Sequence, residues 1–486
     1  MVYPASVQRI TDARRGFWLA SLSFLPLFVW WLGWFPAFLS PDSIDQLEQV
    51  ESGDFTDGHP AIHTIAVWVV TRFWNHPGAV TFVQIIAVSL LLGLVARRLI
   101  ELGVPPMAAV GAAWVVGLSP AVGPTAITIW KDIAFTVAFL WVFAELLMLV
   151  RLKDDYWTPT WNPLRLGMAL ALVWLVRHNG VITVLLVLAV VAVIFRRRMR
   201  GVGVTVVAML ATLAIVLGPL YWIFSVERGR PAPGEVLLPV VASSFVHEPG
   251  NFSDDDLALL SSIAPLEVWA SRYACDSADA LLFAPELDIE VIRADPGPFL
   301  GLGLRTIIRD PDTSLGFFFC RSSYLFAPTA SPDAYLHRPP FAIAANDLGI
   351  KRAPVWEPAF DATLEVFRVS ESDGWIWLTW QPALVIWAAL LTYAALARRP
   401  TRWLLVPGAL FGAHLLNVMA TSLNHEFRLA LPLYVTGLMS LPLLWFAFDP
   451  DRLDQSLGVS EVKRRSLLDD DIASIGERKR QADGVE

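Results

Sequence analysis

The chain has 486 residues, of which 55% are hydrophobic and only 17% charged, with 21 Trp and 28 Phe. Soluble domains carry about a quarter charged residues, so this composition excludes an ordinary soluble protein and points to transmembrane helices. The net charge of -8 gives no support for nucleic-acid binding. Basic residues cluster in short loops between apolar runs, and acidic ones fill a long segment around 226–373 and the tail.

Arg14 and Arg15 precede the first apolar run, 17–39. That run is too long for a signal-peptide core and lacks a small-residue cleavage site, so it reads as a retained first span with the arginines in the cytoplasm. Residues 40–77 are polar and acidic around a short apolar piece, 62–74. At about 13 residues this piece is too short to cross and reads as an interfacial helix. Span two, 79–95, ends on Arg97-Arg98. Span three follows Pro105-Pro106 and reaches 118, after which Pro120 and Pro124 break the helix over 119–130. Span four, 133–150, returns to Arg151 and Lys153. Span five, 164–176, rises to Arg177-His178-Asn179-Gly180. Span six, 181–195, falls to Arg196-Arg197-Arg198, and span seven, 202–224, leads into the long polar segment. Spans eight (375–396), nine (403–419) and ten (429–448) follow. Arg398-Arg399 separates eight from nine, and the turn Asn424-His425-Glu426-Phe427-Arg428 separates nine from ten.

Under this count every basic cluster falls inside and both termini are cytoplasmic, as the positive-inside rule requires. The expected fold is an all-α polytopic membrane protein of about ten spans, with an exterior domain of mixed strand and helix cues between spans seven and eight. The chain then divides into an N-terminal membrane module (1–225) with the exterior loop 40–77, an exterior segment (226–373), C-terminal membrane helices (374–448) and a charged cytoplasmic tail (449–486). Two cysteines, Cys275 and Cys320, both lie in the exterior segment. A disulfide suits an exported segment; the alternative is two buried free thiols.

The ionisable residues between the spans gather on the outer side. Asp42, Asp45, Asp57, His59, Lys131, Asp132, Arg177, His178, His425, Glu426 and Arg428 come from five separate segments. In Ser40-Pro41-Asp42-Ser43-Ile44-Asp45, Ser40 or Asp42 can cap a short helix, which sets Asp42, Asp45 and Gln49 on neighbouring turns of one face. A carboxylate at the mouth of a wet cavity can take a proton from a hydroxyl nucleophile, or hold a divalent cation that carries a phosphorylated substrate. The alternative is helix capping within a solvated acidic loop. Several cations at one membrane surface suit a phosphate or diphosphate on a lipid carrier. No P-loop, dinucleotide fingerprint, HExxH or GxSxG elbow occurs in a usable context.

On these residues the chain resembles the GT-C superfamily of membrane glycosyltransferases, which use polyprenyl-phosphate sugars as donors. The matching features are Ser40-Pro41-Asp42 with Gln46 and Gln49, Gly53, Asp57-Gly58-His59-Pro60, Trp130-Lys131-Asp132, Arg177-His178-Asn179-Gly180 and His425 to Pro432. The resemblance covers roughly 17–225 and 375–448, and the order and sidedness of the motifs carry it. It implies a catalytic first-loop aspartate, here Asp42, and cationic and histidine side chains near the donor phosphate, here Lys131, Arg177, His425 and Arg428. The implied partners are the lipid-linked sugar donor, a glycan, lipid or protein acceptor and the bilayer. The implied location is the plasma (inner) membrane with the active site facing outside. The chain departs from the family pattern in having Ser43 where an adjacent acid would stand beside Asp42, which leaves a metal unassigned. The exterior segment also lies between spans seven and eight instead of at the C-terminus. The contrasting expectation is a transporter or flippase of a lipid-linked or anionic solute, since intramembrane charges also mark transport paths.

Overall fold

The computed structural model describes residues 5–229, 234–329, 342–398 and 402–448. Among them the regular structure is helical throughout, and the extended pairings are isolated bridges. Five helices are long and apolar enough to cross a membrane: Arg9–Gly33, Pro77–Leu102, Lys131–Trp157, Arg196–Ile223 and Phe427–Phe448. Shorter apolar helices, Pro106–Leu118, Trp161–Val176, Gly180–Ile194, Ala383–Ala397 and Leu405–Thr421, pack among them. The longest of these, at 17 residues, extends roughly 25 Å, against a hydrocarbon core of roughly 30 Å.

Helix Pro77–Leu102 shows why the elements begin and end where they do. His76 Nδ1 accepts the Gly78 N–H at 3.1 Å beside a proline at the first position. Gly103, at φ +103°, turns its N–H back onto the Leu99 and Ile100 carbonyls. The helix runs past the expected end at 95 because Arg97 and Arg98 do not stop it. Both bond the buried Glu101 at 2.8 Å, and Arg151 joins from helix Lys131–Leu152 at 2.7 Å.

Contacts of this kind sort the bundle into two ends. One end holds the Glu101 network, Arg165 on Glu145 at 3.2 Å, and Arg198 on Asp154 at 3.0 Å. The other end gathers the first loop, 128–132, 177–180, 221–227 and 421–428, which bond one another directly.

The first span differs from the expected 17–39. Its helix starts earlier, breaks at Leu22-Ser23 where Pro26 cannot donate to the Leu22 carbonyl, and stops at Gly33. Residues 34–36 turn, and 37–40 are extended because other segments hold them. The Phe38 N–H donates to the Ile127 carbonyl at 3.1 Å, and the Ala344 N–H to the Leu39 carbonyl at 2.9 Å.

The mixed strand-and-helix character expected of 226–373 is also corrected, because the described part is helical. Residues 234–327 fold around Leu238, Val241, Leu260, Ile263, Trp269, Phe299 and Leu302. Helix Pro296–Arg309 buries Phe299, Leu302, Gly303 and Thr306, one face at helical spacing. Apolar residues that suggested strands are the inner faces of such short helices. Residues 342–371 do not join this unit but strap the first span. The Ala353 N–H bonds the Phe35 carbonyl at 2.9 Å, and Trp34 Nε1 bonds Thr363 Oγ1 at 2.8 Å. A Cβ on Gly33 would meet the Phe360 backbone nitrogen at 2.7 Å, so the close approach needs glycine there. The charged tail 449–486 and Arg399 lie outside the described residues.

Candidate functional site

The site is built on helix N-termini. Ser40, in extended backbone, accepts the Ser43 N–H at 3.3 Å, and Ser43 Oγ accepts the Ser40 N–H at 3.2 Å, a reciprocal cap that starts helix Pro41–Ser52. The same two serines fix this helix to the start of helix Lys131–Leu152. Trp130 Nε1 donates to Ser40 Oγ at 2.8 Å, and Ser43 Oγ donates to the Ile129 carbonyl at 2.9 Å. Asp42 therefore sits in the first turn of one helix, while Lys131 and Asp132 open helix Lys131–Leu152. Arg428 is the second residue of helix Phe427–Ser440. Three helix N-termini meet, each turning the positive end of its dipole to one space.

Charged side chains fill that space in alternating sign. Arg428 Nη1 donates to Asp42 Oδ2 at 3.0 Å, and Arg428 Nε donates to Glu426 Oε2 at 2.6 Å. Its guanidinium lies 5.0 Å from the centre of the Trp130 ring. Arg177 donates to Asp132, which is buried, and its Nε donates to Asn179 Oδ1 at 3.1 Å. His59 bridges the acidic and cationic halves: Lys131 Nζ lies 2.6 Å from its Nδ1, and its Nε2 lies 3.9 Å from Asp42 Oδ1. Nδ1 accepts from the ammonium, so the imidazole proton sits on Nε2 and faces Asp42. Asp42 stays about one-third exposed, at 34% of its side chain, so the cluster opens to solvent.

The electrostatics follow from these contacts. Burial pushes the Asp42 carboxyl up, but Arg428, His59 and Lys131 together hold it below the usual carboxylate range. Burial lowers His59, and the Lys131 charge lowers it further against the opposite pull of Asp42 and Asp45. At neutral pH the pair is a carboxylate beside a neutral imidazole.

A second group adjoins the first. Asp57 Oδ1 accepts the Ala61 N–H and the Tyr221 hydroxyl, each at 3.0 Å, and lies 3.6 Å from His178 Nε2. Burial raises Asp57, while His178, the Ala61 N–H and Tyr221 bring it below the ordinary value. Asp45 takes the Gln49 side-chain amide at 2.9 Å, as one helical face allows.

Of the eleven residues singled out from the sequence, Asp42, His59, Lys131, Glu426 and Arg428 form one contact network, and the Asp132–Arg177 pair adjoins it next to Lys131. Asp57 and His178 pair beside it, and Asp45 bonds Gln49 on the wall. His425 faces elsewhere. Its Nε2 is 3.1 Å from the Cys320 carbonyl and its ring is 5.0 Å from Tyr324, so burial, which lowers it, serves a packing role. Trp130, Asn179, Tyr221 and Asn424 hold the site residues and were not singled out alone. Their only sequence signal is a position next to a charged motif or at a span end.

The turn that carries Glu426 and Arg428 is gripped from the 234–327 unit. The His425 N–H bonds the Asp276 carbonyl at 3.0 Å, the Ala278 N–H bonds the Leu423 carbonyl at 3.0 Å, and Asn424 Nδ2 bonds Asp279 at 2.7 Å. From the other side Arg321 Nη1 donates to the Ser422 carbonyl at 2.8 Å. Cys275 and Cys320, with Cα atoms 6.0 Å apart, are joined in a disulfide that ties the two jaws together.

A divalent cation was left open for this region. Among the described residues no group of three or more His, Cys, Asp or Glu side chains converges as metal ligands; Asp42 and Glu426 share Arg428, and Asp132 pairs with Arg177. The donor set does not fit a metal.

No curated protein and no solved structure matches the chain. Residues 21–284, more than half of its length and including every site residue up to His178, match a family of unknown function (DUF6020), to which the chain belongs.

Proposed function

We propose that the protein is a polytopic glycosyltransferase of the GT-C kind, moving a sugar from a polyprenyl-phosphate donor to an acceptor hydroxyl on the extracytoplasmic face in cell-envelope glycan or glycoconjugate assembly. The observation that carries this reading is the meeting of Asp42, His59, Lys131, Asp132, Arg177 and Arg428 at three helix N-termini, at one end of an apolar bundle. A lipid-borne phosphate needs cations and N–H groups at that depth, whereas a water-soluble substrate does not.

In this reading the acceptor oxygen attacks the anomeric carbon as the bond from that carbon to the phosphate oxygen breaks. The hydroxyl proton passes to Asp42, an ionised carboxylate, and configuration inverts. Lys131, Arg177 and Arg428, with the helix termini, stabilise the leaving polyprenyl phosphate. His59, neutral and hydrogen-bonded to Lys131, holds that ammonium toward the phosphate. Counting the shorter apolar helices with the long ones gives ten crossings and both termini in the cytoplasm. The arginine networks at the opposite end support this sidedness, and so does a disulfide at the site end, which suits an oxidising compartment.

The test is transfer from a radiolabelled polyprenyl-phosphate sugar by the purified protein in nanodiscs. Asp42→Asn is expected to lower the rate by roughly 10²-fold or more, the usual contribution of a general base, with unchanged gel-filtration behaviour. Full activity in that variant would remove Asp42 from its role. Lipid-linked solute moved across proteoliposomes without sugar transfer would select the transport reading.

A further inference from the structure

The membrane interior of the bundle contains a histidine that the site does not use. His414 lies on helix Leu405–Thr421 and is 1% exposed. An ionisable side chain at such a place is costly, and a leucine would fill the same volume in an apolar bundle. Its ring packs between Phe135 and Phe139, 5.1 and 4.9 Å from their centres, and one side of its surroundings leads toward Arg177.

Two routes connect them. The first is a chain of hydrogen bonds. Thr183 Oγ1 lies 3.3 Å from His414 Nδ1 and accepts the Asn417 amide at 3.1 Å. Thr421, one turn beyond Asn417, donates to the Asn417 carbonyl at 2.8 Å and accepts the Asn179 amide at 2.7 Å. Asn179 Oδ1 then takes Arg177 Nε at 3.1 Å. His414, Asn417 and Thr421 fall at i, i+3 and i+7, one face of their helix, opposite Thr183 on helix Gly180–Ile194. The second route is a stack. The His414 ring lies 5.1 Å from Phe135, and the Arg177 guanidinium lies 5.9 Å from the centre of that same ring. Phe135 is one turn below Asp132, the carboxylate that Arg177 binds.

We propose that His414 is a positioning residue for the anion site: through Thr183, Asn417, Thr421 and Asn179 on one side and Phe135 on the other, it fixes the Arg177 guanidinium for a lipid-borne phosphate. This rests on the reading of Arg177 as a phosphate-binding cation. Arg177 has a fork of five N–H donors. Asn179 occupies Nε and Asp132 occupies Nη1, so the direction of the remaining donors is set by how those two partners are held. Asn179 in turn has no strong hold of its own on helix Gly180–Ile194, since its side chain makes no cap bond there, and Thr421 supplies the anchor.

Three variants and one probe test the proposal. Binding of a polyprenyl monophosphate is measured in detergent for the wild type, His414→Leu, His414→Asn and Thr183→Val, with thermal unfolding recorded for each. His414→Leu keeps the packing volume and removes the rung, and binding is expected to weaken roughly three- to thirty-fold, the range for coupled residues that touch neither ligand. Asn places a polar atom where Nδ1 was, so His414→Asn is expected to restore most of the loss. Thr183→Val should match His414→Leu, and the double variant should be no worse than either single, because both break one rung. Equal binding by wild type and His414→Leu overturns the inference alone. Equal losses in His414→Leu and His414→Asn, each tracking a lowered unfolding temperature, overturn it in favour of simple packing. A wild type that does not bind the probe at all overturns the phosphate reading of the site, and this inference with it.

Discussion

Asp42 and His59 form the part of the site whose chemistry is most exposed to test. His59 is held below its ordinary value of 6.5 by burial and by Lys131. The unfolded chain therefore takes the proton first. The contribution of His59 to stability is full above about 6.5 and is lost as the pH falls toward the folded value. The acid limb of the transfer rate should accordingly lie below 6.5. Lys131→Met removes the larger of the two cationic causes, Arg428 being the other, so the limb of the residual rate should move up toward 6.5, and a limb that stays in place would detach Lys131 from His59. At the opposite end Glu101 answers three arginines in a nearly closed site. Glu101→Gln should cost about 3–5 kcal/mol, as expected when a buried pair loses one partner, read as a lower unfolding temperature with polyprenyl-phosphate binding retained in the folded fraction. The residue types of the site were legible because charges stand out in an apolar chain. Their partners were not. Asp42 and Arg428 lie 386 positions apart, and nothing local says which acid meets which cation. His425 shows the limit in one step. In an extended turn neighbouring side chains point opposite ways, so Glu426 faces the site while His425 faces Cys320.

Among the elements, helix Pro41–Ser52 was the most legible, because Ser40-Pro41 is a start signal with a physical cause. Its ties to Ile129 and Trp130 were not, since they depend on how 35–40 is held between two distant segments. Ser40→Ala removes the cap and the Trp130 partner together. It should cost about 1 kcal/mol of local stability and lower transfer by fraying the turn that carries Asp42; unchanged hydrogen exchange over 41–46 would contradict this. The ends of Pro77–Leu102 were misread for a different reason. A basic doublet ends a span only if no buried acid meets it, and Glu101 is itself on the helix. The exterior segment was misread because short amphipathic helices break both periodicities before either can be recognised.

For the whole molecule, the one-sided sorting of charges was visible along the chain because topology constrains every loop at once. Asn75→Cys should therefore react with an impermeant maleimide added to spheroplasts, and Lys153→Cys only after lysis. The native cysteines are paired, which gives a low background. Labelling of both from the same side would overturn the assigned sidedness. The disulfide jaw has a consequence for the order in which the protein matures. The residues that grip the turn 422–426 lie at 275–279 and 320–321, and all are synthesised before the helix that carries Arg428. The receiving surface precedes the last helix in the chain, and of the site's cations only Arg428 waits for that helix to dock. Under reducing conditions the full chain would carry Asp42 and Arg428, but without the bond that ties the receiving jaws together. The Arg428–Asp42 contact therefore joins the first exterior loop to the last described helix, across 386 positions of chain.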